Sequence, residues 1–205
     1  MASRFRNTGF DMAKLYFIYA AMNAGKSTIL LQSAYNYRER GMQVMLWTSG
    51  HYREGQEETA EISSRIGLNA RAHLYREEID LFEAITAMKN DGAVDAVFID
   101  EAQFLAPGQV WQLARVADQL HIPVMCYGLR TDFQGKLFPG SAELLAIADQ
   151  LREVRTICHC GRKATMTARV DPEGKAITEG QQVEVEKSRY VSLCRKHWEA
   201  ATKIH

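Results

Sequence analysis

An apolar, aromatic run at residues 14–21 (KLYFIYAA) ends in a loop closed by Gly25-Lys26-Ser27, and helical periodicity follows at once. That strand–loop–helix order constrains the fold more than any other feature of the chain. A buried strand feeding a helix is the first half of a βαβ unit, which needs a parallel partner strand. Over residues 27–40 the apolar positions Ile29, Leu30, Ala34 and Tyr37 share one helix face, and Gly41 ends it. Further strands are expected at 43–48 (QVMLWT), 94–99 (VDAVFI), 122–127 (IPVMCY) and 151–157, with helices at 81–88, 108–120 and 141–148. The alternation predicts an α/β fold, a parallel sheet covered by helices on both faces. Residues 49–60 (SGHYREGQEETA) are polar and unperiodic and are expected to form a mobile loop.

A chain of 205 residues is long enough for one domain with a substantial core and a small appendage. Lys plus Arg and Asp plus Glu both total 25, so no excess charge attracts nucleic acid or an anionic membrane. No run approaches the roughly 20 apolar residues of a membrane span, and the first eleven residues lack the apolar stretch of a secretion signal. These features predict a cytoplasmic protein with no nucleic-acid or membrane partner. Residues 1–11 are expected to be a flexible extension or a product of start-site choice. Residues 12–157 are expected to form the nucleotide-binding α/β domain and residues 158–205 a small metal-bearing subdomain.

The loop reads Ala20-Ala21-Met22-Asn23-Ala24-Gly25-Lys26-Ser27, where a phosphate-binding loop reads G-x-x-x-x-G-K-[ST]. Only the opening glycine departs. In such a loop successive backbone N–H groups wrap the phosphates and the following helix adds the positive end of its dipole. Lys26 would contact the β- and γ-phosphates, and the Ser27 hydroxyl would ligate Mg²⁺. Ala20 falls where the strand ends, and a methyl group there need not obstruct the phosphates.

At residues 97–104, VFIDEAQF sets Asp100 and Glu101 at the end of an apolar strand. That is the carboxyl edge of the sheet, beside the loop. Asp100 can hold Mg²⁺ through its water shell, leaving Glu101 free to take a proton from an attacking hydroxyl. A Glu after a metal-binding Asp also serves ATPases and helicases, where it activates water, and DEAQ has the DExx form. The pair alone leaves the acceptor open.

Cys158-His159-Cys160 is followed, after 33 residues, by Cys194-Arg195-Lys196-His197. Three sulfurs and one imidazole suit a closed tetrahedral structural zinc site, and the polar tail could not otherwise bury enough surface to hold itself together. His159 is expected to point away if both neighbours bind metal. Cys126, in an apolar strand, reads as an inert core thiol.

These features, in this order, resemble one family closely: the cytosolic, zinc-containing type II thymidine kinases. The resemblance runs from about Met12 to His197 and is carried by YAAMNAGKSTILLQSAYNYRERGM, FIDEAQF, IPVMCYGLRTDFQGKLFPGS and RYVSLCRKH. It implies a P-loop NTPase (RecA-like) fold with a small zinc-binding subdomain and a lasso loop. It also implies ATP-dependent phosphorylation of thymidine to dTMP, feeding DNA precursor salvage. Ala20–Ser27 would bind the ATP phosphates, with Asp100, Glu101, Ala102 and Gln103 forming the metal and catalytic region. Glu101 would be the base for the sugar 5′-hydroxyl. Met22, Phe104, Leu129, Phe133, Phe138, Thr167 and Tyr190 fall where the family lines its nucleoside pocket. The main chain from Val183 to Tyr190 would close over the base. Cys158, Cys160, Cys194 and His197 match the zinc ligands. A homotetramer, inhibited by dTTP, is implied as well.

Two departures stand out. EVEKSRY, before Tyr190, lacks the family's paired glycines, and SGHYREGQ lacks the acidic residue that precedes the counterpart of Arg53. Arg65, in SSRIG, is a candidate to approach the phosphates in its place. Arg130, in LRTDF, is a candidate to stabilise charge on the transferred phosphoryl group, with a surface ion pair as its alternative. Two other functional classes compete. A P-loop ATPase would use Glu101 on water, but a helicase needs a second motor domain and a charged groove. A zinc-bearing binding module would leave the paired carboxylates without a role.

Overall fold

A computed structural model describes residues 13–51, 58–182 and 189–204. Its centre is a seven-stranded sheet in the order β3-β4-β2-β5-β6-β1-β7. The strands are β1 (Leu15–Ala20), β2 (Val44–Ser49), β3 (Thr59–Ser63), β4 (Asn69–Tyr75), β5 (Ala96–Ile99), β6 (Val124–Leu129) and β7 (Gln150–Glu153). Six run parallel; β3 is antiparallel to β4. The sheet is mainly parallel and flanked by helices, as expected, with the single antiparallel strand β3 at its edge.

Alternation along the strands sorts side chains into two cores. Phe17, Trp47, Val97 and Ile99 point into one, packed against α2 (Leu81–Asp91), α3 (Pro107–Leu120) and α4 (Pro139–Ile147). Ile18, Leu46, Ala96 and Phe98 point into the other, covered by Leu30, Leu31 and Ala34 of α1 (Lys26–Glu39). With both faces buried, the central strands read as continuous apolar runs, which is why β1, β5 and β6 are legible in the sequence.

The β3–β4 hairpin falls in a region with no strand expectation, and its first residues overlap the expected loop at 49–60; residues 52–57 lie outside the described residues. Because β4 runs parallel to β2, its carboxyl end meets the carboxyl edge of the sheet, and the hairpin turn at 64–68 lies at the opposite edge. Seven residues of strand at about 3.3 Å each put some 20 Å between them. Arg65 is in that turn, so within one chain it stands at the wrong edge of the sheet to approach the phosphate loop.

The run at 151–157 does not form one strand. Gln150–Glu153 ends the large sheet beside β1, and β8 (Thr156–Ile157) turns away to pair with β9 (Lys163–Ala164). The tail continues as β10 (Met166–Val170), β11 (Ala176–Ile177), β12 (Arg189–Leu193) and α5 (Arg195–Thr202). Strands β11-β10-β12 form a small antiparallel sheet. Trp198 of α5 is buried against Cys158, Ala168 and Leu193, and its indole N–H lies 3.1 Å from both the Phe133 and the Thr167 carbonyls. That contact docks the small unit onto the turn after β6. No described helix is long and apolar enough to cross a membrane.

Candidate active site

Strands β1 and β5 flank β6, so the turns after Ala20 and Ile99 open side by side at the carboxyl edge. Ala20 is the last residue of β1, 2 % exposed and paired with Leu129. Its methyl group is core, which explains why an alanine is accommodated where the motif has its first glycine. The chain then turns through Asn23 (φ 62°) and Gly25 (φ 82°), both left-handed, before α1 begins at Lys26. Glycine suits that position because side chains disfavour it. No side chain caps α1, and no acidic residue occupies its first turn. Uncapped N–H groups of this kind are what helix N-termini offer to anions.

Lys26 lies over this turn, its Nζ 3.4 Å from the Ala21 carbonyl. Burial pulls its ammonium below the ordinary lysine range, and the Glu101 and Asp100 carboxylates oppose that pull. The Ser27 hydroxyl reaches Asp100 Oδ2 at 3.3 Å. Asp100 is 5 % exposed. Burial first, and the charge of Glu101 second, push its carboxyl up to about 7. An alcohol and a buried carboxylate meeting this way are hard oxygen donors of the kind Mg²⁺ takes.

Glu101 has φ 54° and ψ 35°, a left-handed backbone that costs a non-glycine residue about 1–2 kcal/mol. The turn lifts its carboxylate out of line with the strand and toward Gln103, whose amide donates to it. Gln103 is itself held by the Leu129 N–H, 2.9 Å from Oε1. Behind it, Gly140 in the first turn of α4 comes so close that a Cβ would sit 2.6 Å from the Leu105 carbonyl and 2.8 Å from that of Ala102. The 3₁₀ turn Ala102–Phe104 is thus clamped between β6 and α4.

Of the residues matched to the nucleoside pocket, Met22, Leu129, Phe133, Phe138, Thr167 and Tyr190 line one cavity of about 20 Å³, completed by Thr131, Asp132 and Gln182. Phe104 packs edge-on against Phe138, ring centroids 5.8 Å apart. It lines an adjoining cleft of about 610 Å³ that shares Phe138 and Gln182 with the cavity. Val183 lies outside the described residues, as does Arg53. Gln182 was not expected at the site; its amide donates to Asp132 Oδ2 (3.1 Å). A polar residue in a loop carries no periodic signal that could have pointed to it. Arg130 is turned toward the small unit, donating to the Thr165 carbonyl at 3.1 Å. A role on the transferred phosphoryl group gains no support from that placement.

The small unit also holds the turn after β1. The Met22 N–H donates to Thr167 Oγ1 (3.1 Å), the Ser192 hydroxyl donates to the Met22 carbonyl, and the Asn23 amide donates to the Tyr190 carbonyl (3.2 Å). None of these bonds is foreseeable from local sequence.

Cys158, Cys160, Cys194 and His197 converge so that their ligand atoms all lie within 4.8 Å of one another. His197 Nδ1 is 3.4 Å from the sulfurs of both Cys158 and Cys194, and Cys160 and Cys194 are 3.9 Å apart. A tetrahedral zinc with bonds of about 2.3 Å to sulfur and 2.0 Å to nitrogen spaces its ligands by roughly 3.5–3.8 Å. The four residues fit the metal. Burial pushes the Cys158 thiol up, but the N–H groups of Cys160 and Cys194, with His197, outweigh it and bring the group down to about 6. His159 does not turn fully away: its ring packs on that of His197, centroids 4.3 Å apart.

Comparison with known proteins agrees with this geometry. The family model described as thymidine kinase matches residues 13–198. A thymidine kinase of Mesorhizobium japonicum is 63% identical over 188 residues, 92% of each chain. One of Ruegeria pomeroyi is 61% identical over 192 residues, covering 93% of this chain and 96% of that one. One of Photobacterium profundum is 54% identical over 191 residues, 93% and 98% of the two. With residues 20–27, the acidic pair and the Cys₃His cluster assembled in one chain, this protein belongs to the thymidine kinase family.

Proposed function

We propose that this protein transfers the γ-phosphate of ATP to the 5′-hydroxyl of thymidine, giving dTMP. Residues 20–27 hold the ATP phosphates, Lys26 contacting the β- and γ-groups. Ser27 and Asp100 hold Mg²⁺, which when bound neutralises the phosphate oxygens. Asp100, Glu101, Ala102 and Gln103 form the floor of the reaction centre. Glu101 accepts the proton of the 5′-hydroxyl as that oxygen attacks phosphorus in line and ADP leaves.

The observation that supports this reading is Met22. It is the third residue of the phosphate loop and also a wall of the apolar cavity. An acceptor in that cavity lies against the donor's phosphates without any solvent-filled gap. The cavity of about 20 Å³ holds about one water and no base. Nucleoside entry therefore displaces Gln182 or Tyr190, which flank residues 183–188, and the aromatic walls then close on both faces of the ring.

The Cys₃His cluster holds a structural zinc, and the tail from 158 onward is the unit that this zinc organises. A cytoplasmic homotetramer regulated by dTTP completes the reading, on family resemblance alone. The test is product formation from Mg·ATP with thymidine, with deoxycytidine in parallel and ATP alone as the water control. The expected result is dTMP with little deoxycytidine product. ADP appearing equally well without nucleoside would make water the acceptor and the protein an ATPase.

A further inference from the structure

We propose that Tyr75 is a positioning residue for Glu101, a role that rests on the kinase reading above. Tyr75 ends β4 and is 1 % exposed within the core beside α2 and α3. Its ring serves that core as a phenylalanine would. Its hydroxyl is another matter, because a buried hydroxyl is costly unless it is bonded. It donates to the Glu101 carbonyl at 2.8 Å; the Asp100 carbonyl is farther, at 3.5 Å.

The Glu101 carbonyl also accepts from the Phe104 N–H at 3.0 Å. Both of its lone pairs are then used, and the peptide joining Glu101 to Ala102 is fixed from behind. This is the peptide that must stay put for Glu101 to keep φ 54° and ψ 35°. A side chain on a left-handed backbone has no neighbouring strand or helix to define its direction, so these bonds define it. The carboxylate end is fixed separately by Gln103.

Tyr75 is in turn connected outward. Ser49 is the cross-strand partner of Tyr75 at the end of β2, and its Oγ accepts from the His51 N–H at 3.1 Å. The His51 ring stacks on Phe104, centroids 4.8 Å apart and nearly parallel at 8°. The end of β2 thus lies against Tyr75 on one side and, through His51, against Phe104 of the turn after Glu101 on the other.

The experiment is Tyr75→Phe in the full-length, zinc-loaded protein. The expected result is a fall of about tenfold in kcat for thymidine, as for loss of one hydrogen bond to a reacting group's support. KM for thymidine and for ATP should stay within about twofold. The same substitution in a Glu101→Asp background, where the carboxylate is already displaced, should lower kcat by less than about threefold, since effects acting through one group do not add. If Tyr75→Phe does not fold, Ser49→Ala keeps the ring and alters only the residue paired with Tyr75 across the sheet; kcat should then fall about threefold with KM unchanged. Wild-type kcat in whichever of these variants folds, or equal losses in both backgrounds, would overturn the proposal while leaving the kinase reading standing. A wild-type protein that makes no dTMP would overturn both.

Discussion

Ser192 and Met22 stand 170 positions apart, and the hydroxyl of one donates to the carbonyl of the other. Ser192 is in the small sheet and Met22 is in the turn after β1, so a strand of the small unit holds that turn in place. Ser192→Ala removes this hold at a residue that does not line the cavity. With one bond worth about 1 kcal/mol, affinity for ATP should weaken about fivefold. Isothermal titration with a non-hydrolysable ATP analogue checks this, and unchanged affinity would count against the coupling.

Glu101→Gln keeps the shape of the side chain and its bond to Gln103 but accepts no proton. Loss of a general base lowers turnover by roughly 10²–10⁴. Thymidine phosphorylation should drop by that factor while ATP binding persists. Turnover near wild type would remove Glu101 from its assigned role.

Asp100 makes the free protein's stability depend on pH in a definite direction. Its carboxyl rises from 3.8 when unfolded to about 7 when folded. The folded state therefore holds the proton more tightly, and the stability this group contributes is lost as pH climbs from about 4 to about 7. Asp100→Asn should gain stability relative to wild type across that window and hold its lead above it. Urea unfolding of both proteins without added Mg²⁺ measures the difference; a gap independent of pH would contradict the shift.

Thiol counting tests the metal site. Cys160 is exposed, yet as a zinc ligand it should resist alkylation alongside Cys158 and Cys194. Cys126 is fully buried, and burial pushes its thiol far up. Native protein should show no fast-reacting thiol, chelator should expose three, and denaturant the fourth. Fast labelling of Cys160 before chelation would argue against bound metal.

Ala20→Gly restores the glycine that the phosphate-loop pattern lacks. Because Ala20 ends a buried strand, the change should cost about 0.5–1 kcal/mol of stability and bring no gain in kcat/KM. A rise in kcat/KM would mean that the methyl group does obstruct the phosphates.

How much of this was legible in the sequence follows burial. Strands β1, β5 and β6, buried on both faces, announce themselves, and the loop and acidic pair at their ends come with them. β3 does not: of its five residues only Ile62 is buried, so it has neither an apolar run nor a clean alternation. Missing that hairpin meant missing Tyr75 and placing Arg65 at the wrong edge. The 151–157 run has no glycine or proline at Val154-Arg155 to mark its break, and β7 is a largely exposed edge strand. The Cys₃His cluster was readable because its chemistry does not depend on periodicity. The bonds from the small sheet to Met22 and Asn23 were not, because they join residues more than 140 positions apart.

Met22 limits how this site can be re-engineered. A change there meant to admit a bulkier base would also alter the turn at residues 20–27 to which the proposed mechanism assigns the phosphates, so altered acceptor choice and weakened ATP use should arrive together. Phe133 lines the same cavity but does not belong to residues 20–27. Laboratory selection for new nucleoside analogues should therefore accumulate substitutions around Phe133 and leave Met22 untouched.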